Sequence, residues 1–325
     1  MKKLILTHAN CVDGCCCRAI LEQKFGKEAD YIEVDYADFN PDIPVRYDKF
    51  KAETESYNNT EVIMADICLS EEFIEMFLKN KNKVTIIDHH KTVIPLMNKL
   101  REKLKDNPDL PLHLIFSDNN DVCGAKMTWL EYGSHKEIPK MIDIVEDYDL
   151  WQFKFEETAF FHAALLENGM QPKDIEKSYW VELLNNPELF EAKTKSGESI
   201  YKDYMKLLKE YSYTAKEVVL DGHKGLMVNA PLKYRSDLGN IVAEQSGTFA
   251  MIWEKTEDGI VSCSLRSKPG FDVSVIAEKF KGGGHTNAAA FRVNDENTFH
   301  TLIVNELKNF LTEKSIINKK PSQGS

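Results

Sequence analysis

Imidazole and carboxylate side chains follow three short apolar segments of the sequence. The first segment is followed by His8 and Asp13, the second ends at Asp66, and the third leads into Asp88-His89-His90. In an open sheet of parallel strands, ligands bind at the edge formed by the carboxyl ends of the strands. If the three segments are strands of one such sheet, the side chains that follow them meet at that edge.

Imidazoles and carboxylates together are typical of a site for Mn, Fe or Zn rather than Ca. Several carboxylates could also hold two divalent ions side by side, as the hydrolysis of phosphate esters often requires. A single aspartate after a strand is more often a turn residue or a helix cap, and a single histidine more often has a structural role. Two adjacent imidazoles contribute little to packing, so the pair His89-His90 favours a metal site.

The rest of the sequence supplies the strands and helices that such a site needs. Continuous apolar runs predict strands that are buried on both faces, and helical patterns lie between them. The predicted strands are 3–7, 31–34, 61–65, 84–87 and 112–116, and the predicted helices are 15–25, 70–79, 122–132 and 138–146. Their alternation predicts an α/β domain with a doubly wound, mostly parallel sheet.

The pattern changes after about residue 151. A long charged helix at 196–211 could connect two domains, and the short strands and helices beyond it predict a smaller C-terminal α/β domain. We expect a catalytic metal-binding domain over 1–193, a connecting helix over 194–213, a substrate-binding domain over 214–316 and a disordered tail over 317–325. The active site is expected in the cleft between the two domains.

The composition limits the partners of the protein. The 325 residues include 52 acidic and 41 basic ones, for a formal net charge of −11. Such a surface repels long nucleic acid but leaves room for a local basic pocket for a short anion. No apolar stretch approaches the roughly 20 residues of a membrane helix, so no membrane partner is expected. The consecutive cysteines 15–17 are poor disulfide partners for one another, which favours a reduced, cytoplasmic setting.

A glycine run and an arginine in the second predicted domain could bind an anion. The run Gly282-Gly283-Gly284-His285 is predicted to lie between two helical segments, where glycine lets a ligand approach the main chain. The amides that begin the following helix, at 286–290, could then cradle a phosphate. A glycine run alone is weak evidence for a binding site, and a flexible hinge is its default interpretation. Arg266, at the end of a predicted strand, adds a side chain that could contact a phosphate through two N–H groups.

The first set of motifs resembles that of the DHH phosphoesterases. Residues 87–92 look like the motif that names the family, while residues 7–14, 64–67 and 144–151 resemble its first, second and fourth motifs. The resemblance implies a phosphoesterase with two divalent metal ions, and Mn²⁺ is the expected metal. The metal ligands that it implies are His8, Asp13, Asp66, His89 and Asp147, with Asp66 bridging the two ions.

The resemblance also implies roles for the neighbouring residues. Asp88 would hold the histidine pair through hydrogen bonds, and His90 would face the substrate and could move a proton. Asp149 competes with Asp147 for the place of the aspartate in the fourth motif, and Asp147 is favoured because it closes the predicted helical run.

The first motif departs from the common pattern at Asn10 and Cys11. Asn10 stands where a carboxylate would ligate the first metal, and we interpret the change as a subfamily variant. A thiolate at Cys11 could be a ligand and would favour a softer ion such as Zn. The favoured interpretation of Cys11 is a small buried side chain.

Residues 264–291 resemble the DHH-associated C-terminal domain, in which an arginine and a Gly-Gly-Gly-His loop bind the nucleotide. The resemblance implies substrate binding by Arg266, Gly282, Gly283, Gly284 and His285. Similarity to the bacterial nanoRNases implies hydrolysis of short oligonucleotides to mononucleotides. The alternatives are a hydrolase for one small nucleotide, either a cyclic dinucleotide or 3′-phosphoadenosine phosphate, and a catalytically idle nucleotide-binding protein. The expected partner is thus a short oligonucleotide or small nucleotide, and a homodimer is one open oligomeric state.

Overall fold

The computed structural model describes residues 2–119, 121–133, 137–165, 167, 170–256 and 259–317. The chain divides into two compact units, residues 1–201 and residues 202–325. Apart from residue 317, the tail expected at 317–325 lies outside the described residues. No helix in the described ranges is long and apolar enough to cross a membrane.

The first unit contains a parallel sheet with the strand order β2-β1-β3-β4-β5. The strands are β1 (Lys3–His8), β2 (Ala29–Val34), β3 (Glu61–Ala65), β4 (Lys83–Asp88) and β5 (Leu112–Phe116). The order reverses between β1 and β3, which makes this the switch point of the sheet. The predicted doubly wound parallel sheet is confirmed.

Two apolar clusters cover the two faces of this sheet. Ile5 and Ile63 point into one cluster, whereas Leu4, Leu6 and Met64 point into the other, because side chains alternate along a strand. Burial on both faces explains why these strands appear in the sequence as continuous apolar runs.

Helices connect the strands and supply both layers. They are α1 (Val12–Phe25), α2 (Pro44–Glu55), α3 (Glu71–Lys79), α4 (Ile94–Asp106), α5 (Gly124–Tyr132), α6 (Lys140–Asp149), α7 (Glu156–Leu165) and α8 (Lys177–Asn185). Two bounds differ from the prediction in a way that matters for the site. Helix α1 begins three residues early, so Asp13 lies in its first turn, and α6 continues to Asp149 rather than ending near residue 146.

The second unit contains a mixed sheet with the strand order β10-β11-β9-β8-β7-β6, in which only the described pair β7–β8 is parallel. Its strands are β6 (Lys216–Leu220), β7 (His223–Asn229), β8 (Phe249–Lys255), β9 (Val261–Ser267), β10 (Gly283–His285) and β11 (Ala288–Val293). The helices from α9 onward are α9 (Pro187–Ser212), α10 (Asp237–Ser246), α11 (Val273–Lys279) and α12 (Glu296–Ile317).

The prediction of a helix at 286–290 is wrong. The glycine run forms β10, which turns at 286–287 and pairs antiparallel with β11. The alanines at 288–290 favour a helix in isolation, but β11 alternates between buried and more exposed positions and pairs with β9. Tertiary pairing therefore overrides the local helix propensity.

Candidate metal centre

The ends of β1, β3 and β4 bring their polar residues to one edge of the first sheet. His8 is the last residue of β1, Asp66 follows β3, and Asp88 ends β4. Asp66 has a left-handed backbone with a φ of 60°, and its N–H donates to Ile87 O at 2.9 Å. Aspartate tolerates this conformation better than most residues. The chain thus turns sharply at the switch point, where a ligand crevice is expected.

The buried carboxylate of Asp66 lies between the imidazoles. Its Oδ2 is 3.3 Å from His8 Nδ1, and its Oδ1 is 3.2 Å from His89 Nε2 and 3.8 Å from His90 Nδ1. One oxygen thus faces the end of β1 and the other faces the residues that follow β4. Such a carboxylate could bridge two cations.

Two groups of side chains, each with its ligand atoms within 4.8 Å of one another, could hold a metal ion. The first group is His8, Asp66 and His90, and the second is Asp13, His89 and Asp149. Both combine imidazole with carboxylate, the donor set favoured by Mn, Fe and Zn. Two buried oxygens, Asp88 Oδ2 and Asp149 Oδ2, have no hydrogen-bond partner among the described residues. A cation is a natural partner for such oxygens, so the residues fit a divalent metal site.

Asp13 is fixed by the beginning of α5. Its two carboxylate oxygens accept hydrogen bonds of 2.8 Å from the N–H groups of Gly124 and Ala125. A Cβ atom on Gly124 would lie 2.8 Å from Asp66 Cβ and 2.9 Å from Asp13 Oδ2, so only glycine permits this approach. Burial and the negative charges of Asp66 and Asp149 raise the pKa of Asp13 well above its usual value.

Asp88 fixes the backbone and side chain of His90 through hydrogen bonds. Its Oδ1 accepts hydrogen bonds from the backbone N–H of His90 at 2.9 Å and from His90 Nδ1 at 2.8 Å. Burial opposes the charged imidazole, but Asp88 outweighs it and raises the pKa of His90. Asp88 thus orients the ring of His90. Proton transfer by His90 stays a prediction, and its place in the first group gives it a second possible role as a ligand.

Asp149, rather than Asp147, lies with the other candidate ligands. Asp149 Oδ2 is 3.3 Å from His89 Nε2. Asp147 instead accepts hydrogen bonds from Lys154 N at 2.8 Å, Phe155 N at 3.2 Å and Thr158 Oγ1 at 2.5 Å. The geometry therefore favours Asp149 over Asp147 as the candidate ligand: the carboxylate of Asp147 is occupied at the entry to α7, and the helix that it was expected to close continues by two residues.

Asn10 and Cys11 lie beside the two groups without joining them. Asn10 is exposed, and its Nδ2 donates to Gln171 Oε1 at 3.4 Å. Cys11 is half-buried at the N-terminal cap of α1. Burial and the charges of Asp66, Asp13 and Asp149 raise the pKa of the Cys11 thiol. These surroundings agree with the interpretation of Cys11 as a small packed side chain.

The close charges shift the protonation of the second group. Burial opposes a charged His89, but its hydrogen bond to Asp66 and the nearby Asp13 and Asp149 raise its pKa to about 10. Burial and the charge of Asp66 raise the pKa of Asp149 to about 6. Hydrogen bonds from His8 and His89 lower the pKa of Asp66, although burial acts against them.

Three of the predicted substrate-binding residues, Arg266, Gly282 and Gly283, line a groove of about 720 Å³ in the second unit. Arg266 points into it with its Nη1 donating to Ser264 Oγ at 3.0 Å and Leu265 O at 2.9 Å, while Nη2 donates to Ser236 Oγ at 3.2 Å. Burial and the charge of Arg235 lower the pKa of Arg266. The groove thus contains positive charge that a bound anion could compensate.

The glycine run borders the same groove as a strand. Gly282 and Gly283 line it, and a Cβ atom on Gly282 would lie 2.0 Å from Ala290 O. Gly284 has a φ of 147°, which side chains rarely adopt. The side chain of His285 lies outside the described part of the chain. The expected cradle of helical amides is replaced by a tightly packed hairpin.

Two residues at the metal centre were not identified from the sequence. No sequence pattern identifies Gly124, because its role depends on its contact with Asp66 and Asp13 in the folded chain. Tyr36 lies with its ring centroid 5.1 Å from that of His8 and 6.3 Å from that of His90. It follows β2, so the rule of strand ends that identified His8 could have identified it as well.

Comparisons with known proteins agree with this architecture. Residues 235–313 match the family model of the DHHA1 domain. The fold resembles that of the pGpG-specific phosphodiesterase PggH from Vibrio cholerae, with a TM-score of 0.52, 15% identity and coverage of 98% of each chain. It also resembles an exopolyphosphatase-related protein from Bacteroides fragilis, with a TM-score of 0.53, 13% identity and coverage of 98% of this chain and 94% of that one. The predicted DHHA1 domain is confirmed by the family match, and the two solved structures show a similar fold over nearly the whole chain.

A curated relative is the uncharacterized protein R106 of Acanthamoeba polyphaga mimivirus. It is 29% identical over 243 residues, which are 71% of this chain and 52% of the relative. The chain therefore spans about half the length of that relative.

Asp149→Asn and Asp147→Asn are a matched pair that tests the metal ligands. We expect Asp149→Asn to weaken metal binding, because it removes a candidate ligand of the second group. Asp147→Asn should leave metal binding unchanged but lower stability by about 1–3 kcal/mol, because an accepting oxygen becomes an NH2 group and a buried donor loses its acceptor. Calorimetric metal titration and thermal unfolding of both variants distinguish these outcomes, and the reverse pattern would restore Asp147 as the ligand.

Metal binding should strengthen as pH rises. A metal-bound imidazole must be neutral, whereas His89, with a pKa of about 10, is protonated at neutral pH. Binding therefore releases a proton, and affinity should rise about tenfold per pH unit above pH 6 and more steeply below it, where Asp149 also holds a proton. Titration of metal-free protein with Mn²⁺ in buffers of different ionisation enthalpy measures this release. Affinity that is constant between pH 6 and 8.5 would contradict it.

Proposed function

We propose that this chain, with its DHH-type fold and DHHA1 domain, is a metal-dependent phosphoesterase that hydrolyses short oligonucleotides to mononucleotides. The observation that carries the proposal is the pair of adjacent imidazole–carboxylate groups with Asp66 between them. A pair of sites of this kind suits in-line displacement at phosphorus. The proposed substrate partner is a short oligonucleotide or small nucleotide, and the proposed setting is the cytoplasm.

The residues present could hold two divalent ions, proposed to be Mn²⁺. His8, Asp66 and His90 would hold one, and Asp13, His89 and Asp149 the other, with Asp66 shared. The ions would supply a hydroxide nucleophile at neutral pH and neutralise the charge that develops on the phosphate.

The protein's own contribution is to fix these side chains before the substrate binds. The amides of α5 orient the carboxylate of Asp13, and Asp88 orients the imidazole of His90. Imidazole orientation by a neighbouring carboxylate is a common support for metal-binding histidines. A preorganised site of this kind costs little reorganisation during the reaction.

The charge distribution supports a short substrate. The groove in the second unit is lined by four basic residues: Arg235, Arg266, Lys281 and Arg292. Its volume of about 720 Å³ is in the range of sites for small molecules. The net charge of −11 disfavours binding of a long polyanion elsewhere on the surface.

A single small nucleotide is the second candidate substrate. A specific observation favours it: PggH, whose fold this chain shares, is named for its action on pGpG. A cyclic dinucleotide would be cleaved at a phosphodiester and 3′-phosphoadenosine phosphate at a phosphomonoester. Both reactions need attack of water at phosphorus, and the shape of the groove would select among the substrates.

The third candidate is a nucleotide-binding protein with an idle centre, which Asn10 had suggested. Each group brings three candidate ligands together without a contribution from residue 10. We therefore favour the active enzyme.

A substrate panel tests the proposal directly. Purified protein with Mn²⁺ should release mononucleotides from a dinucleotide and from a five-nucleotide RNA faster than from a long single strand, as chromatography of the products over time would reveal. Preference for a cyclic dinucleotide or for 3′-phosphoadenosine phosphate would favour the second candidate. Failure to hydrolyse any of these substrates with Mn²⁺, Mg²⁺, Zn²⁺ or Co²⁺ would favour the third candidate, a nucleotide-binding protein with an idle centre.

Arg266→Ala tests the basic groove. The variant should raise the KM for a dinucleotide by about tenfold or more, because a charge-assisted phosphate contact is lost, and should lower kcat if this contact also positions the scissile bond. Arg101→Ala, on the surface of α4, is the matched control and should leave both constants unchanged. Wild-type constants in Arg266→Ala would remove this residue from the substrate site.

A further inference from the structure

We propose that Tyr36 is a stacking platform for a nucleobase and that it selects substrates with a base over base-free phosphates. The inference rests on the proposed phosphoesterase function and adds a specificity determinant at the metal centre. It excludes inorganic polyphosphate as the preferred substrate. Three features of Tyr36 carry it: its position, its fixed loop and its open ring.

The position of Tyr36 places an aromatic ring directly beside two candidate metal ligands. Its ring makes edge-to-face contacts with His8, at an interplanar angle of 73°, and with His90, at 88°. Both histidines belong to the group around Asp66. A phosphate held at that group would bring its attached nucleoside close to Tyr36.

The loop that carries Tyr36 is held in place before any ligand binds. A 3₁₀ turn spans Tyr36–Phe39. At its start, Asp35 Oδ1 accepts a hydrogen bond from the N–H of Ala37 at 3.0 Å, and Asp38 Oδ2 accepts one from the N–H of Asp35 at 2.8 Å. Arg46 Nη2 contacts Asp38 Oδ1 at 2.8 Å. A preformed platform loses little conformational freedom when it binds a base.

One side of the Tyr36 ring is supported and another is open. Phe39 packs against the apolar core, and its ring centroid is 5.7 Å from that of Tyr36. Tyr36 nevertheless remains 40% exposed. Single-stranded nucleic-acid sites use accessible aromatic side chains as surfaces on which bases stack.

The chemistry of the residue favours stacking over proton transfer. No described residue forms a hydrogen bond with the hydroxyl of Tyr36, so its ring, rather than its hydroxyl, makes the observed contacts. The phenol of a tyrosine is neutral at physiological pH. A neutral ring does not repel the phosphate of a ligand, and a base is the flat, uncharged part of a nucleotide that can lie on it.

The test compares guanosine 5′-monophosphate with ribose 5-phosphate, which differ by the base. Binding to the Mn²⁺-loaded wild-type protein, Tyr36→Leu and Tyr36→Phe is measured by calorimetry, so the result does not depend on turnover. Wild type should bind the nucleotide about tenfold more tightly than the sugar phosphate, and Tyr36→Leu should lose this advantage while keeping its affinity for the sugar phosphate. Tyr36→Phe keeps the aromatic ring and should therefore keep the preference for the nucleotide. Tyr213→Leu, at an exposed tyrosine of the second unit, is the matched control.

Each outcome separates this inference from the proposed function. Equal affinity of wild type for the two ligands, or an unchanged preference in Tyr36→Leu, would overturn the stacking role even if dinucleotides are hydrolysed. An equal loss in Tyr36→Phe and Tyr36→Leu would assign the effect to the hydroxyl and also overturn it. Base-dependent binding without hydrolysis of any phosphoester would uphold Tyr36 and overturn the phosphoesterase.

Discussion

Three carboxylates, from Asp13, Asp66 and Asp149, lie within 3.6 Å of one imidazole nitrogen, His89 Nε2. Buried charges of the same sign repel one another strongly where water is excluded, and the surrounding structure must offset this repulsion. The imidazoles of His8 and His89 and the amides that begin α5 are the offsetting groups that the protein supplies. Divalent cations would complete the balance. The parallel sheet with its switch point, the early start of α1 and the glycine at position 124 are the conditions under which these charges can be held together.

The sequence was sufficient for those parts of the structure that depend on local pattern. The continuous apolar runs identified the five strands of the first sheet, and the polar residues at their ends identified His8, Asp66 and the Asp88-His89-His90 run. The choice between Asp147 and Asp149 could not be made in the same way. It depends on where α6 ends and on which direction each carboxylate takes there, and both are decided by packing against α7 and His89. The hairpin at the glycine run was not predicted for a related reason. Its strand β11 pairs with β9, whose residues lie about 25 positions earlier in the sequence.

The two units differ in the charge of their candidate sites. The first unit concentrates negative charge that divalent cations would offset, whereas the second carries a basic groove with Arg235 near Arg266 and a glycine hairpin at its border. Glycine contributes through the absence of a side chain in both. At Gly124 this allows two carboxylates to approach, and at Gly282 it allows two strands to pack. Such positions are recognised only when the neighbouring backbone is known.

Asp147 and Asp149 are two residues apart on α6, yet one binds the start of α7 and the other faces His89. Successive residues of an α-helix are rotated by about 100° about its axis. The partner that each carboxylate reaches therefore depends on the rotational phase of the helix. An insertion or deletion of one residue within α6 would turn both carboxylates away from their partners together. The length of this helix is therefore constrained more tightly than its composition, and natural variation in chain length is expected to fall outside it.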